Sequence, residues 1–200
     1  MIKQFCIYVL LIFCFKTNAQ FHSHSHNHKH DGLHHWEIPS KDPDRIILTF
    51  NGDPATKRAV TWRTDSSVKK AKAQIAVAAV NSSFVEEATT YFATTEEFDL
   101  GIYKSNKSLI VNYHSVVFEN LNPNTLYAYR VGNDENWSEW IQFKTANDTY
   151  SPTQFVYFGD AQNDILNHWS RVIRMAYQTA PDASFVIHAG DLVDTAHKDN

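Results

Sequence analysis

Past residue 14 the sequence has no cysteine. Both thiols, Cys6 and Cys14, fall within the first apolar run, so the rest of the chain has neither disulfides nor thiol chemistry, and packing must hold it together. Long hydrophobic runs are also missing. The stretch FCIYVLLIFCF (5–15) has eleven residues, too few to cross a bilayer core of roughly 30 Å, so no membrane anchor is expected. A basic excess is absent too, with 18 Lys and Arg against 22 Asp and Glu, formally −4. Nucleic acid is therefore not an expected partner, since binding it calls for a basic patch.

What the chain does have begins with that apolar run. Lys3 precedes it and Lys16 with TNAQ follows, the layout of a secretory signal peptide (1–19) cleaved after Ala19. The expectation is a secreted or periplasmic protein. Bulky Phe13 sits before Cys14, where a lipid-acceptor cysteine wants a small residue. Cleavage would leave 16 basic residues against 22 acidic ones, formally −6. A histidine-rich leader (20–43) comes next, carrying His22, His24, His26, His28, His30, His34 and His35. In an extended chain the period of two puts the first five imidazoles on one side. Imidazole suits zinc, copper and nickel, so the leader is an accessory metal-binding candidate. A solvated leader with incidental affinity is the competing reading.

From 44 to 147 the pattern is that of strands. Candidates are 45–52, 58–64, 71–80, 88–98, 108–121, 126–132 and 139–145, separated by turn-forming NGDP, TDSS, NSS, KSNKS, NPN and NDEN. Seven strands in about a hundred residues predict an all-β sandwich. Leu121, Pro123, Thr125 and Tyr127 have the spacing of a tyrosine corner, in which a Tyr hydroxyl reaches back to the backbone. With Trp62 in an early strand, the segment resembles a fibronectin type III domain. His114 lies in a strand and is expected to be structural.

After the polar ANDTYSPT the pattern changes, and 153–200 reads as the start of a second, α/β domain. QFVYFGD and ASFVIHAGD are continuous apolar runs of the kind buried on both sheet faces. Between them Ile165, Trp169, Val172, Ile173 and Ala176 recur at helical spacing, with Asn163 or Asp164 as N-cap and Pro181 ending the helix. This is a βαβ unit with parallel strands. His168 on the helix and His188 in the strand are expected in the core or at an interface, and His197 on a loop.

Each apolar run ends in Gly-Asp, at Asp160 and again at Asp191. Parallel neighbours release their carboxyl ends at one sheet edge, where α/β folds bind ligands. Two carboxylates there repel unless a cation lies between them, and a divalent metal pair is a natural answer. A lone Gly-Asp more often marks an Asx-turn or a helix cap. Two of them, the second extended to GDLVD, favour the site.

FVYFGDAQND and FVIHAGDLVD behind a fibronectin-like segment resemble the calcineurin-like metallophosphoesterases, in particular their purple acid phosphatase-like branch. That resemblance covers about 44–200. It implies an exported phosphoesterase of the acid phosphatase kind, which hydrolyses phosphate esters with a hydroxide bridging two metals. The metals would be divalent, or divalent and trivalent, drawn from iron, zinc and manganese. Asp160 would bind one metal and Asp191 would bridge both. Gln162 stands where the family has an imidazole or, in the purple branch, glycine; Asp194 stands where purple enzymes carry their iron-binding tyrosine. Gln162 and Asp194 are thus candidate oxygen ligands, and a ferric–tyrosinate centre is not expected. No other residue of the chain is assigned to catalysis. The family's downstream Asn and His ligands do not occur here, and two strands and a helix are too little for an independent core. The 200 residues are therefore expected to be the front part of a longer enzyme or a truncated reading frame, inactive alone. The alternatives are a non-enzymatic exported fibronectin-like binding module with a degenerate metal site, and a histidine-rich metal scavenger.

Overall fold

The computed structural model describes residues 38–103, 107–162 and 164–192. The signal segment, the histidine leader, the KSN turn at 104–106, Asn163, Asp194 and His197 lie outside the described residues. Eight strands form a sandwich of two four-stranded antiparallel sheets. One sheet orders β1 (Asp44–Thr49), β2 (Arg58–Asp65), β6 (Lys107–Phe118) and β5 (Thr94–Tyr103). The other orders β4 (Thr89–Phe92), β3 (Lys72–Val77), β7 (Leu126–Gly132) and β8 (Ile141–Lys144).

Alternation decides what fills the space between the sheets. Val60 and Trp62 of β2, Val116 and Phe118 of β6, and Tyr127, Tyr129 and Val131 of β7 make one buried cluster. Burying side chains of this size contributes about 1.5–3 kcal/mol apiece. The expected tyrosine corner is present, because the Asn122 N–H donates to the Tyr127 hydroxyl at 2.8 Å. His114 is fully buried on β6, as a structural residue should be.

Beyond shifted ends, such as β5 running to Tyr103, two features differ from the expected strands. The stretch 88–98 is not one strand: β4 pairs with β3, and after Ala93 the chain enters the opposite sheet as β5, paired with β6. Periodicity persists through the crossing because both sheets bury the same face of the pattern, so only the pairing reveals it. The strand expected over 71–80 ends at Val77, and a short 3-10 turn follows at Ser82–Val85. Asn81 explains the stop, since its side chain accepts the Ser83 N–H at 3.2 Å and caps the turn.

A strand–helix–strand unit follows the sandwich. β9 (Phe155–Phe158) and β10 (Phe185–His188) pair in parallel, with Phe155 opposite Phe185 and Phe158 opposite His188. Between them a π turn (Ile165–Trp169) leads into α1 (Ser170–Thr179), which ends just before Pro181. Asp164 takes the N-cap position, but with its backbone: its carbonyl accepts the His168 N–H at 2.8 Å, and no side-chain cap bond forms. The apolar runs are not buried on both faces, as Tyr157 is 65% and Val186 59% exposed. One helix covers one face of a strand pair and cannot cover the other. His168 also departs from expectation, with its side chain 71% exposed and its Nε2 3.9 Å from Asp164.

The two parts touch through aromatic rings. Phe50 meets Phe185 edge-on at 5.2 Å, and Phe185 stacks on Phe155 at 5.2 Å. The Arg58 guanidinium lies 4.6 Å from the centre of the Phe50 ring. Phe155 and Phe185 are the first residues of β9 and β10, so this contact is made at the amino ends of the strands, opposite the edge where Asp160 and Asp191 emerge.

Candidate metal-binding edge of the parallel strand pair

Beyond Phe158 and His188 the two chains continue side by side. The Ala189 N–H donates to the Phe158 carbonyl at 2.8 Å, extending the parallel ladder by one bond. A Cβ on Gly159 would lie 3.8 Å from the Ala189 Cβ, an ordinary contact across the pair. Asp160 and Asp191 then leave from neighbouring strand ends, and both are solvent-exposed. Both also adopt left-handed backbone, at φ 53° and 51°. That conformation is uncommon for a residue with a Cβ, and Asp and Asn are among the few that take it readily.

The two glycines differ in backbone. Gly190 has φ +112°, a backbone other residues resist, whereas Gly159 stays out of the positive-φ region. In the first turn the aspartate itself makes the left-handed bend.

Aromatic side chains brace the two turns from behind. Trp169, in the π turn, meets Phe158 at 4.8 Å and His188 at 5.6 Å, both edge-on. His188 Nδ1 accepts the Gly190 N–H at 3.3 Å, which ties the imidazole to the turn that presents Asp191. His188 is half-buried, in keeping with the core or interface place expected of it. Its bracing role was missed by sequence reasoning, although a histidine two residues before a glycine turn was the available signal.

Ala161 is buried and Gln162 half-buried immediately after Asp160. Asp160, Gln162 and Asp191 therefore lie in the two turns at this edge, while Asp194 is outside the described residues. The donor set is partial. Among the described residues no group of three or more His, Cys, Asp or Glu is placed to hold a metal. Two exposed carboxylates and an amide oxygen are hard donors suited to one part of a divalent ion's shell. An apolar hollow of about 620 Å³ lies elsewhere, between β9 and α1, lined by Phe155, Tyr157, Val172 and Met175 among others. It contains neither aspartate. No helix among the described residues is long and apolar enough to cross a membrane.

Comparison with known proteins bears on the same segments. The family model described as "Purple acid Phosphatase, N-terminal domain" matches residues 43–145, just over half of the chain. The chain belongs to that family through the domain at 43–145. No curated protein matches it. Among solved structures it is similar to the fn3 domain of human contactin 1, at 19% identity over 57% of this chain and 85% of that one, TM-score 0.39. A computationally redesigned β-sandwich protein matches at 20% identity over 54% of this chain and 97% of that one, TM-score 0.34. A structure of PhoD matches at 16% identity and TM-score 0.47; 77% of this chain is covered, but only 28% of PhoD.

Proposed function

We propose that the chain contributes to an exported, metal-dependent phosphoesterase, with Asp160 and Asp191 supplying carboxylates to its metal pair. One observation carries the reading: the two acids leave adjacent parallel strands at a single sheet edge. The relation to the phosphatase family supports it. When bound, a metal pair polarises phosphoryl oxygens and lowers the pKa of bound water. The residues of this chain hold the cations and offset their charge. Asp160 and Asp191 would hold the ions, and Gln162 would offer an amide oxygen beside them. His188 and Trp169 keep the second turn in place. The substrate class is a phosphate ester, and Asp194, three positions after Asp191 in the sequence, is a further candidate oxygen donor.

The sandwich touches this unit at Phe185, at the strand ends farthest from the acids. Its part is anchorage of the strand pair, in preference to shaping substrate access.

Manganese tests the reading because it favours carboxylate oxygen over imidazole. Titration of the whole chain with Mn²⁺, followed by the loss of the free-ion paramagnetic resonance signal, is compared with Asp160→Asn and Asp191→Asn. Asn tolerates the left-handed backbone, so each change removes the charge and spares the turn. Each is expected to weaken binding about tenfold or more, since loss of even an outer partner of a metal ligand costs that much. Unchanged Mn²⁺ affinity in both variants would leave the fibronectin-like binding module as the better account.

A further inference from the structure

The outer face of the β4–β3–β7–β8 sheet carries a row of polar and aromatic side chains that has no part in the metal edge. Tyr129 and Val131 of β7 are buried in the core, so Arg130 between them stands on the outside of the sheet. Its cross-strand partner is Gln74 of β3, whose partner in turn is Thr90 of β4. The three are hydrogen-bonded in line. Arg130 Nε donates to Gln74 Oε1 at 2.8 Å, and Gln74 Nε2 donates to Thr90 Oγ1 at 3.1 Å. Two indoles lie against the same guanidinium, whose carbon is 4.4 Å from the centre of the Trp137 ring and 4.7 Å from that of Trp140. Trp137 is fixed by a backbone bridge to Gly132, and Trp140 meets the Phe84 ring edge-on at 5.1 Å. What this ordered guanidinium lacks is an anion. Arg63 has Asp44, and Arg58 donates to the Pro54 and Lys57 carbonyls. Among the described residues no acid pairs with Arg130, and Asp134, the nearest acid in sequence, is held by Lys72 at 2.6 Å. Its Nη1 and Nη2 have no acceptor among those residues and are not among their buried unpartnered atoms, so both reach solvent.

We propose that Arg130, Trp137 and Trp140 form a binding site for a carboxylated sugar, a uronic acid. A guanidinium takes both oxygens of a carboxylate with two parallel N–H groups. Here its Nε is anchored and its Nη edge is open, so the cost of ordering it is already met by the fold. Indole faces carry negative charge, so oxygens that stray from the guanidinium edge are repelled. A planar carboxylate keeps both oxygens at that edge, whereas a tetrahedral phosphate cannot keep all of its oxygens there. Trp137, Trp140 and Phe84 are half-buried and leave aromatic surface beside the arginine. The C–H face of a sugar ring packs on such surface by dispersion. A uronic acid combines the two features, one carboxylate and one apolar ring face. The site belongs to the sandwich and shares no residue with the aspartate edge.

Titration of the full chain with glucuronate, glucose and inorganic phosphate, without added metal, tests this through the indole N–H signals in ¹H–¹⁵N spectra. Trp137→Phe and Trp140→Phe assign those signals. Glucuronate is expected to move both saturably. Glucose, with a hydroxymethyl group in place of the carboxylate, should bind about tenfold more weakly or worse, as should phosphate. Arg130→Lys keeps the charge and loses the planar edge, and Arg130→Gln loses both; each should weaken glucuronate about tenfold or more. Unmoved backbone signals of Tyr127 and Val131 show that the sheet is intact in the variants, and if a variant does not fold, the three ligands compared on the parent chain decide. The double variant Asp160→Asn with Asp191→Asn should bind glucuronate as the parent does, so this site and the metal edge fail separately. Glucuronate that moves neither indole, binds no better than glucose or phosphate, or is indifferent to both Arg130 substitutions in a folded chain overturns the proposal. A short peptide with a single glutamate that binds more tightly than glucuronate would also overturn it, and would make the row a protein contact.

Discussion

His114 concentrates several physical effects in one side chain. It is fully buried, packs on Trp62 at 5.3 Å, and has Nε2 2.8 Å from Thr64 Oγ1 and Nδ1 2.9 Å from Thr95 Oγ1. A neutral ring donates through one nitrogen and accepts at the other, so two hydroxyls satisfy it without charge. Burial disfavours the imidazolium and lowers the pKa from 6.5 to about 4. The unfolded chain therefore takes up a proton between those values that the folded chain refuses. Stability attributable to this group is full above pH 6.5 and declines until the pH passes the folded value. The total loss is about 3 kcal/mol, at roughly 1.4 kcal/mol for each pH unit between the two pKa values. Urea unfolding from pH 7.5 down to 4 should show the parent losing that much more than His114→Gln. Parallel pH profiles for the two would contradict the assignment. Aspartates 160 and 191 show the other residue-scale device, side chains with a Cβ held in left-handed backbone at the edge where they are proposed to act.

At the scale of elements, the tyrosine corner fixes how β7 enters its sheet. Tyr127 sits in the core and its hydroxyl accepts the Asn122 N–H, five residues back. Thr145 closes the same loop, its hydroxyl donating to the Asn122 carbonyl at 2.7 Å and accepting the Thr125 N–H at 2.9 Å. Tyr127→Phe keeps the ring and leaves the Asn122 N–H unpaired, so stability should fall by about 1–2 kcal/mol. A lower urea midpoint with an unchanged slope would show it, and an unchanged midpoint would count against the corner. This corner was legible from Leu121, Pro123, Thr125 and Tyr127 because its chemistry is local. The sandwich strands were legible because alternation tracks burial. The sheet switch at Ala93 was not, since 88–98 keeps one pattern while its hydrogen-bond partner changes from β3 to β6. The π turn escaped for a related reason: Ile165 and Trp169 fit an α-helical spacing, and the extra residue in the turn shows only in the backbone. At the candidate site, the parallel pairing that sets Asp160 beside Asp191's strand could be read from two apolar runs around a helix. The brace of Trp169 and His188 could not, because it joins residues nineteen apart whose contact depends on how the helix lies on the strands.

For the molecule as a whole, the sandwich and the strand pair meet at Phe50 and Phe185, and the acids emerge at the other end of the same strands. Four paired residues at roughly 3.3 Å each separate the two ends. Membership of the purple acid phosphatase N-terminal domain family covers the sandwich, residues 43–145, and stops before the strand pair. It does not by itself assign chemistry, because a fold hosts many functions and the site decides among them. The site here rests on geometry: strands running the same way, side by side, each ending in a turn that exposes an aspartate. Tyr157, Val186 and Met175 of that unit are exposed. The decisive observation is therefore positional. Crystals of the chain soaked in Mn²⁺ and measured at a wavelength sensitive to manganese should give anomalous density within about 2–2.5 Å of carboxylate oxygens from both Asp160 and Asp191. Density beside only one of them, or beside neither at saturating Mn²⁺, would contradict the claim that the paired strand ends share a cation.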